Sequence, residues 1–309
     1  MIISASRRTD IPAFYSQWFM NRIKAGHVLV PNPRNPKQVS QINLSPKVID
    51  GIVFWTKNPE PMMKYLPALE DYMYYFQFTL TPYGKTIEPH LPDTDARIKT
   101  FKILAKLIGK ERVIWRYDPI LINATYTTDD HLDAFEKIAK SLKNATQKVI
   151  ISFIDPHYKN VKTNLKQLNL KVLEEKEKLE FLQQLVTIAS KQGLTVEYCS
   201  GDFDLQPFGI SPSRCIDGAL FENLLGCSLA QKKDAGQRGS CGCMESIDIG
   251  GYNTCIHGCL YCYANYNPSI VARNVQLHDP TSPMLTGALH PEAKIVARKM
   301  SSLKVNRLF

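Results

Sequence analysis

Six short runs rich in β-branched and aromatic residues recur along this chain, with helical stretches between them. Ile2 to Ser6, Gly51 to Thr56, Tyr75 to Leu80, Val113 to Tyr117, Lys148 to Ile154 and Thr195 to Cys199 read as strands. Asp10 caps a helix from Ile11 that carries Pro12 in its first turn and ends at Gly26. From Thr94 to Gly109, residues Ile98, Phe101, Leu104, Ala105 and Ile108 share one helical face. Thr128 caps a helix to about Leu142, and a charged helix from Leu170 to Gln192 is closed by Gly193. This alternation predicts βα units on a parallel sheet. The unbroken run Ile52-Val-Phe-Trp55 suits a strand buried on both faces. Pro31 to Pro36 and Thr81 to Pro92 read as loops, Cys215 to Leu225 as a helix and Ile247 to Gly251 as a further strand.

With 309 residues and 44% hydrophobic content, the chain can bury the core of one large α/β barrel or of two modest domains. One domain with a cysteine-rich C-terminal extension is expected: βα repeats over 1–200, a cysteine-containing insertion over 201–246, a strand and cysteine loop over 247–290, and a basic tail over 291–309. The N-terminus lacks a secretory pattern and no apolar run reaches membrane-spanning length, so no membrane partner and a cytoplasmic location are expected. The eight cysteines would then be reduced, and clustered thiols in that compartment more often hold metal than pair as disulfides. The net charge of +9, from 38 Lys and Arg against 29 Asp and Glu, is compatible with nucleic acid, but the lysines are spread along solvent-facing helix positions. Their densest patch, Lys294 to Arg307, reads as a short amphipathic helix with a frayed end.

Three cysteines, Cys255, Cys259 and Cys262, are spaced C-x3-C-x2-C. Three thiolates can hold three irons of a 4Fe-4S cluster and leave the fourth open to a substrate or cofactor. A structural zinc is the other reading, although the paired C-x2-C knuckles of zinc ribbons are missing. His257, inside the loop, reads as a polar loop residue. Cys199, Cys215, Cys241 and Cys243 could gather four sulfurs around a second iron-sulfur cluster or a zinc, while Cys227, in Leu-Leu-Gly-Cys, reads as a small buried hydrophobe.

Tyr261 stands where the radical SAM (S-adenosylmethionine) motif C-x3-C-x-aromatic-C has its aromatic residue, and Tyr263 and Ala264 continue the match. On these residues the chain resembles that superfamily. In most members the cysteine loop follows the first strand, whereas here it follows the sixth. The upstream segments resemble the remaining strands of the spore photoproduct lyase branch, in order. Thr9-Asp10-Ile-Pro12, Thr56-Lys57-Asn-Pro59, Leu80-Thr81 with Glu88-Pro89 and Arg97, and Arg116 with Pro119-Ile120 carry that likeness. The resemblance implies a partial TIM-like (β/α)6 barrel, circularly permuted so that residues 247–254 supply its first strand. The whole chain is also similar to a bacterial domain-of-unknown-function family with Gln-Arg, Cys-Gly-Cys, Asp-Ile-Gly and Cys signatures near its end.

The same resemblance implies an enzyme that cleaves S-adenosylmethionine to a 5'-deoxyadenosyl radical on a 4Fe-4S cluster, with flavodoxin or ferredoxin as electron donor and a small molecule or nucleic acid as substrate. Its catalytic residues on the substrate stay open. Cofactor contacts are expected from Tyr261 and from polar groups at strand ends: Ser4, Ser6, Arg7, Arg8, Thr56, Lys57, Thr79, Thr81, Arg116 and Asp118. For Thr56 and Thr79 a plain β-forming role competes, for Asp10 a helix cap, and for Arg116 with Asp118 a structural ion pair. Two other classes remain from the residues alone: a zinc-stabilised nucleic-acid-binding protein, and an electron carrier, which would need a fourth cysteine after Cys262.

Overall fold

The computed structural model describes residues 1–155, 159–199 and 205–305. Arg307 of the basic tail and residues 201–204 of the expected insertion lie outside them. In chain order the strands are β1 (Ile2–Ala5), β2 (His27–Asn32), β3 (Asn35–Asn43), β4 (Gly51–Thr56), β5 (Tyr74–Thr79), β6 (Val113–Ile120), β7 (Lys148–Phe153), β8 (Thr195–Tyr198), β9 (Ile210–Pro212), β10 (Ile247–Asp248) and β11 (Lys294–Ala297). The helices are α1 (Ile11–Phe14), α2 (Ser16–Ala25), α3 (Glu60–Met63), α4 (Thr94–Ile108), α5 (Thr128–Ser141), α6 (Lys159–Leu165), α7 (Glu175–Lys191), α8 (Gly218–Leu225) and α9 (Pro268–Gln276). Eight strands form one sheet in the order β10-β1-β4-β5-β6-β7-β8-β9, with every neighbouring pair parallel. The protein is therefore α/β, as the alternation of its runs predicts, and helices such as α4 and α5 make the crossovers that parallel neighbours require.

Successive side chains on a strand point to opposite faces, so this sheet builds two apolar layers. On one face Phe54, Phe76, Phe78 and Trp115 meet Phe101 and Leu104 of α4 and Phe135 and Ile138 of α5. On the other, Ile2, Val53, Tyr75, Ile114 and Ile150 meet Cys215, Ile216, Phe221 and Met244. The chain between β9 and β10 thus covers the second face. A glycine lets α8 approach: a Cβ at Gly51 would stand 2.1 Å from Phe221 Cε1.

The C-terminal edge strand is two residues long, yet it lies parallel to the first strand in the register Ile3↔Ile247 and Ser4↔Asp248. Its carboxylate holds it there. Asp248 accepts from Ser4 Oγ at 2.9 Å, Ser6 Oγ at 2.7 Å, Arg7 N at 2.8 Å and Gly250 N at 3.0 Å. Gly250 presses so closely on Ser6 that a Cβ would fall 2.1 Å from the hydroxyl.

Several local expectations are corrected. The basic tail is not helical at its start: Lys294–Ala297 is a strand that pairs in parallel with Gln38–Gln41 of β3. Its Ile-Val core suits a strand, and the flanking charges suit an exposed edge. Pro31 does not open a loop but lies within β2 opposite Val39, in the small sheet β11-β3-β2. There β2 is an edge strand, where a missing N–H is tolerated. The helix expected from Ile11 to Gly26 breaks at Tyr15 into two. Thr127, one residue before Thr128, caps α5 in a capping box with Asp130. The charged helix starts only at Glu175, where Glu174 and Glu177 make another capping box, and Asp217 caps α8 at Gly218. Helix α9, capped by Asn267, was absent from the sequence reading.

A Gly51→Ala substitution is expected to lower stability by about 1–3 kcal/mol, because the new methyl must displace Phe221. In urea unfolding the cost should shrink when Phe221→Leu is added. Independent, additive costs would show that the two residues do not meet.

Candidate active site

From β10 the chain enters the cysteine loop, and side-chain hydrogen bonds close its base. Asn253, in left-handed backbone conformation at φ 53°, donates its N–H to Ala264 O at 2.9 Å, while its Oδ1 accepts from Tyr266 N at 2.9 Å. Asparagine tolerates that conformation better than most residues. Asn265 Nδ2 donates to Cys255 O and Tyr15 OH to Thr254 O. The loop then docks on the segment after β5: Leu260 N donates to Ile87 O at 3.0 Å and His90 N to His257 O at 3.3 Å. Gly258, at φ 71°, is required at this contact, since a Cβ would lie 3.0 Å from Pro89 Cγ.

Two buried carboxylates organise the docking. Glu88 Oε1 accepts from Lys57 Nζ at 2.8 Å, from Thr81 Oγ1 at 2.9 Å and from Tyr261 OH, while Arg97 Nη1 stands 3.4 Å from Oε2. Lys57 Nζ also lies 5.2 Å from the centre of the Tyr261 ring. Burial alone would raise the Glu88 pKa, but the charges of Lys57 and Arg97, with hydrogen bonds from Lys57 and Tyr261, hold it below the usual carboxylate value. Asp10 does more than cap α1 through Ala13 N at 3.0 Å. Its Oδ2 accepts from Lys57 N at 2.7 Å and from His257 Nε2 at 2.8 Å. His257 is accordingly buried, with its ring 4.5 Å from that of Phe14, rather than an ordinary loop residue.

Cys255, Cys259 and Cys262 are partly buried and not joined in disulfides. Burial, followed by the charges of Asp10, Cys262 and Cys259, raises Cys255 well above the ordinary thiol value. Burial pushes Cys259 up to about 12 against the pull of Lys57, and it raises Cys262 as well. Lys57 eases that cost at Cys259 and Cys262, and three thiolates here would need a further positive centre. Among the described residues no three Cys, His, Asp or Glu side chains are arranged round a single metal ion. The donor chemistry fits a cluster, in which each thiolate binds a different iron.

A second group of thiols lies over the sheet face that the segment between β9 and β10 covers. Cys215 O accepts from Tyr75 OH at 2.7 Å and Gln77 Nε2 at 2.9 Å, and its sulfur lies 3.5 Å from Cys199 Sγ and 2.9 Å from Arg116 Nη1. Cys243 Sγ accepts from Ile216 N at 3.4 Å. Hydrogen bonds with Cys199 and Cys243, aided by Arg116, hold Cys215 well below the ordinary thiol value despite its burial. Hydrogen bonding with Cys243 likewise lowers Cys241 to about 6. The guanidinium groups of Arg7 and Arg116 lie 5.7 and 5.2 Å from the Trp55 ring. Half-buried Cys227 stands outside this group, just past the α8 cap at Gly226.

The expected contact residues fall into separate roles. Lys57, Thr81 and Tyr261 converge on Glu88, whereas Ser4 and Ser6 spend their hydroxyls on Asp248. Thr56 Oγ1 accepts from Asn58 N at 3.0 Å and shapes the turn before Pro59. Thr79 is in register with Arg116, which pairs with Asp118, and Asp118 also accepts from Ser152. Arg7 stands 3.6 Å from Asp234, and Arg8 lies 5.0 Å from the centre of the Tyr252 ring. Sequence reasoning missed Asp248 and Trp55 as organising residues. The signal for Asp248 was a lone carboxylate inside an otherwise apolar strand run.

Fold and site together define an α/β protein whose parallel sheet carries two cysteine groups, one on an edge-strand loop and one over a sheet face. The chain belongs to the family described as Domain of unknown function (DUF1848), whose model matches residues 2–264. That span holds all eight cysteines and ends two residues after Cys262. No curated protein matches the chain. No helix among the described residues is long and apolar enough to cross a membrane.

Because its folded pKa is lowered, Glu88 contributes stability that is present above its unfolded value near 4.5 and lost as pH falls through the folded value. A Glu88→Gln chain should be less stable at neutral pH and lose less stability on acidification; the unpaired Glu88→Ala should cost about 3–5 kcal/mol. Thermal melts across pH 3–7 check this, and parallel acid limbs for wild type and Glu88→Gln would refute the assignment.

Proposed function

We propose that this protein is a radical SAM enzyme in which Cys255, Cys259 and Cys262 hold a 4Fe-4S cluster. The observation that carries the reading is the pairing of β10 with β1. That pairing sets the C-x3-C-x2-C loop at the C-terminal end of a parallel strand, where α/β sheets build their sites. The order of the strands supports a permuted arrangement, with β10 where the first strand would stand and β1, β4, β5, β6, β7 and β8 following across the sheet, although with β9 the sheet has eight strands where a (β/α)6 barrel has six.

Held by Cys255, Cys259 and Cys262, a 4Fe-4S cluster would supply the one-electron reductive cleavage of S-adenosylmethionine from which hydrogen abstraction from a substrate follows. The protein's residues position and shield. Asn253 and Asn265 fix the mouth of the cysteine loop, and Asp10 anchors His257 between Cys255 and Cys259. Lys57 places a positive charge beside the thiolates, and its bond to Glu88 keeps that charge in position. The Tyr261 ring walls the site beneath Lys57, and its hydroxyl donates to Glu88 rather than standing unpaired. The electron comes from a flavodoxin- or ferredoxin-type donor, and the substrate is a small molecule or a nucleic acid.

Anaerobically reconstituted protein is expected to be brown and, with dithionite and S-adenosylmethionine, to form 5'-deoxyadenosine detectable by chromatography. Cys259→Ala should abolish the product. Equal product from that variant, or none from a wild type with about four irons per chain, would overturn the reading.

A further inference from the structure

We propose that Cys199, Cys215, Cys241 and Cys243 form a second metal centre, a four-thiolate site for a thiophilic metal held as zinc or as an iron-sulfur cluster. The four come from three separate segments: the residue after β8, the turn after β9 and the 241–243 loop. Each segment is fixed by its own backbone bonds. Cys199 N donates to Ile151 O at 2.9 Å, extending the sheet by one residue. The carbonyl of Cys215 is held by Tyr75 and Gln77, and Met244 N donates to Ile216 O at 3.1 Å, which ties the third segment to the second. The fold itself imposes the meeting of the sulfurs.

Packing alone does not account for what surrounds them. Four thiols used only as small hydrophobes would call for apolar neighbours. Beside the apolar residues of that layer, Arg116, 5% exposed, aims Nη1 at Cys215 Sγ from 2.9 Å and at Gln77 Oε1 from 3.4 Å while its other nitrogens engage Asp118. Parking a guanidinium against neutral sulfur is costly, whereas thiolate or sulfide accepts its hydrogen bond. Two more donors nearby, Arg7 Nη2 and Trp55 Nε1, are buried without an acceptor. They belong to the stack formed by Arg7, Trp55 and Arg116, and metal-bound sulfurs are acceptors of the kind they lack.

The thiols now stand in a hydrogen-bonded row, Cys199 to Cys215 to Cys243 to Cys241, and not round one point. Binding one metal would therefore require the outer thiols to turn to other staggered positions. A metal there would fasten the segment between β9 and β10 to the sheet face that it covers. The proposal is independent of the Cys255–Cys262 loop, and its test separates the two.

The full chain carrying Cys255→Ser, Cys259→Ser and Cys262→Ser is produced in medium containing iron and zinc and purified without oxygen. Iron, zinc and acid-labile sulfide are then measured by elemental analysis and colorimetry. Either about one zinc or about four irons with matching sulfide per chain is expected, and absorbance separates the two metals. Adding Cys215→Ser and Cys243→Ser should remove that metal. Where that chain does not fold, Cys241→Ser, at the half-buried member, should release metal to a chelator at least tenfold faster than its parent. Iodoacetamide should spare the four thiols until a chelator is added. A folded triple variant without metal, or metal unaffected by the further substitutions, would overturn the proposal. So would a Cys199–Cys215 disulfide in place of metal.

Discussion

One carboxylate decides whether the two ends of this protein make a single site. A two-residue strand contributes too few ladder bonds to hold an edge by itself, so β10 depends on Asp248 and its four donors from Ser4, Ser6, Arg7 and Gly250. Hydrogen bonds to a charged acceptor each contribute about 1.5–3 kcal/mol, and they do not simply add. Three of the four donors lie within residues 4–7, so the carboxylate fixes both the register of β10 and the course of the turn that leaves β1. Everything beyond Asp248, including the cysteine loop, inherits its position from that grip.

The loop's second attachment works by the same logic at greater distance. Residues 10, 57, 81, 88, 97, 257 and 261 are far apart in the chain, yet Asp10 and Glu88 bind them into one buried ionic network. Burying two carboxylates is unfavourable unless every partner is in place. The network therefore specifies a single docked position for the loop, where a purely apolar contact would leave it free to slide. It also makes the turn after β4 responsible for the site: Lys57 is fastened at its backbone to one carboxylate and at its side chain to the other.

The central strands were legible because their burial on both faces leaves continuous apolar runs, and Ile52 to Trp55 is the plainest. The cysteine spacing was legible because soft-metal chemistry leaves few other uses for it. Long-range placement was not. Asp10 reads as a helix cap in sequence and is one, but its second oxygen reaches His257, 247 residues away, and nothing local announces that. Ser4 and Ser6 read as free polar groups at a strand end because their acceptor lies more than 240 residues downstream. The tail was read as helix because its charges drew attention away from Ile295-Val296, whose preference is for a strand. The misses at Asp10, Ser4 and Ser6 have one physical origin: the partner that decides the structure is remote in the chain.

The two cysteine groups differ in what their surroundings ask of a metal. Around Cys255, Cys259 and Cys262 the protein supplies Lys57 and a wall of hydrogen-bonded backbone, and burial opposes thiolate formation, so any occupant must bring its own positive charge. Around Cys215 the protein already supplies Arg116, a sharing of protons among neighbouring sulfurs, and the stack on Trp55. The first environment suits a centre with an exchangeable position, where entry of a charged cofactor changes the electrostatics. The second would suit a closed centre that fastens the segment between β9 and β10 to the sheet face it covers. On the proposed reading, sulfurs divided three and four in this way would separate the chemistry from the scaffold that holds it.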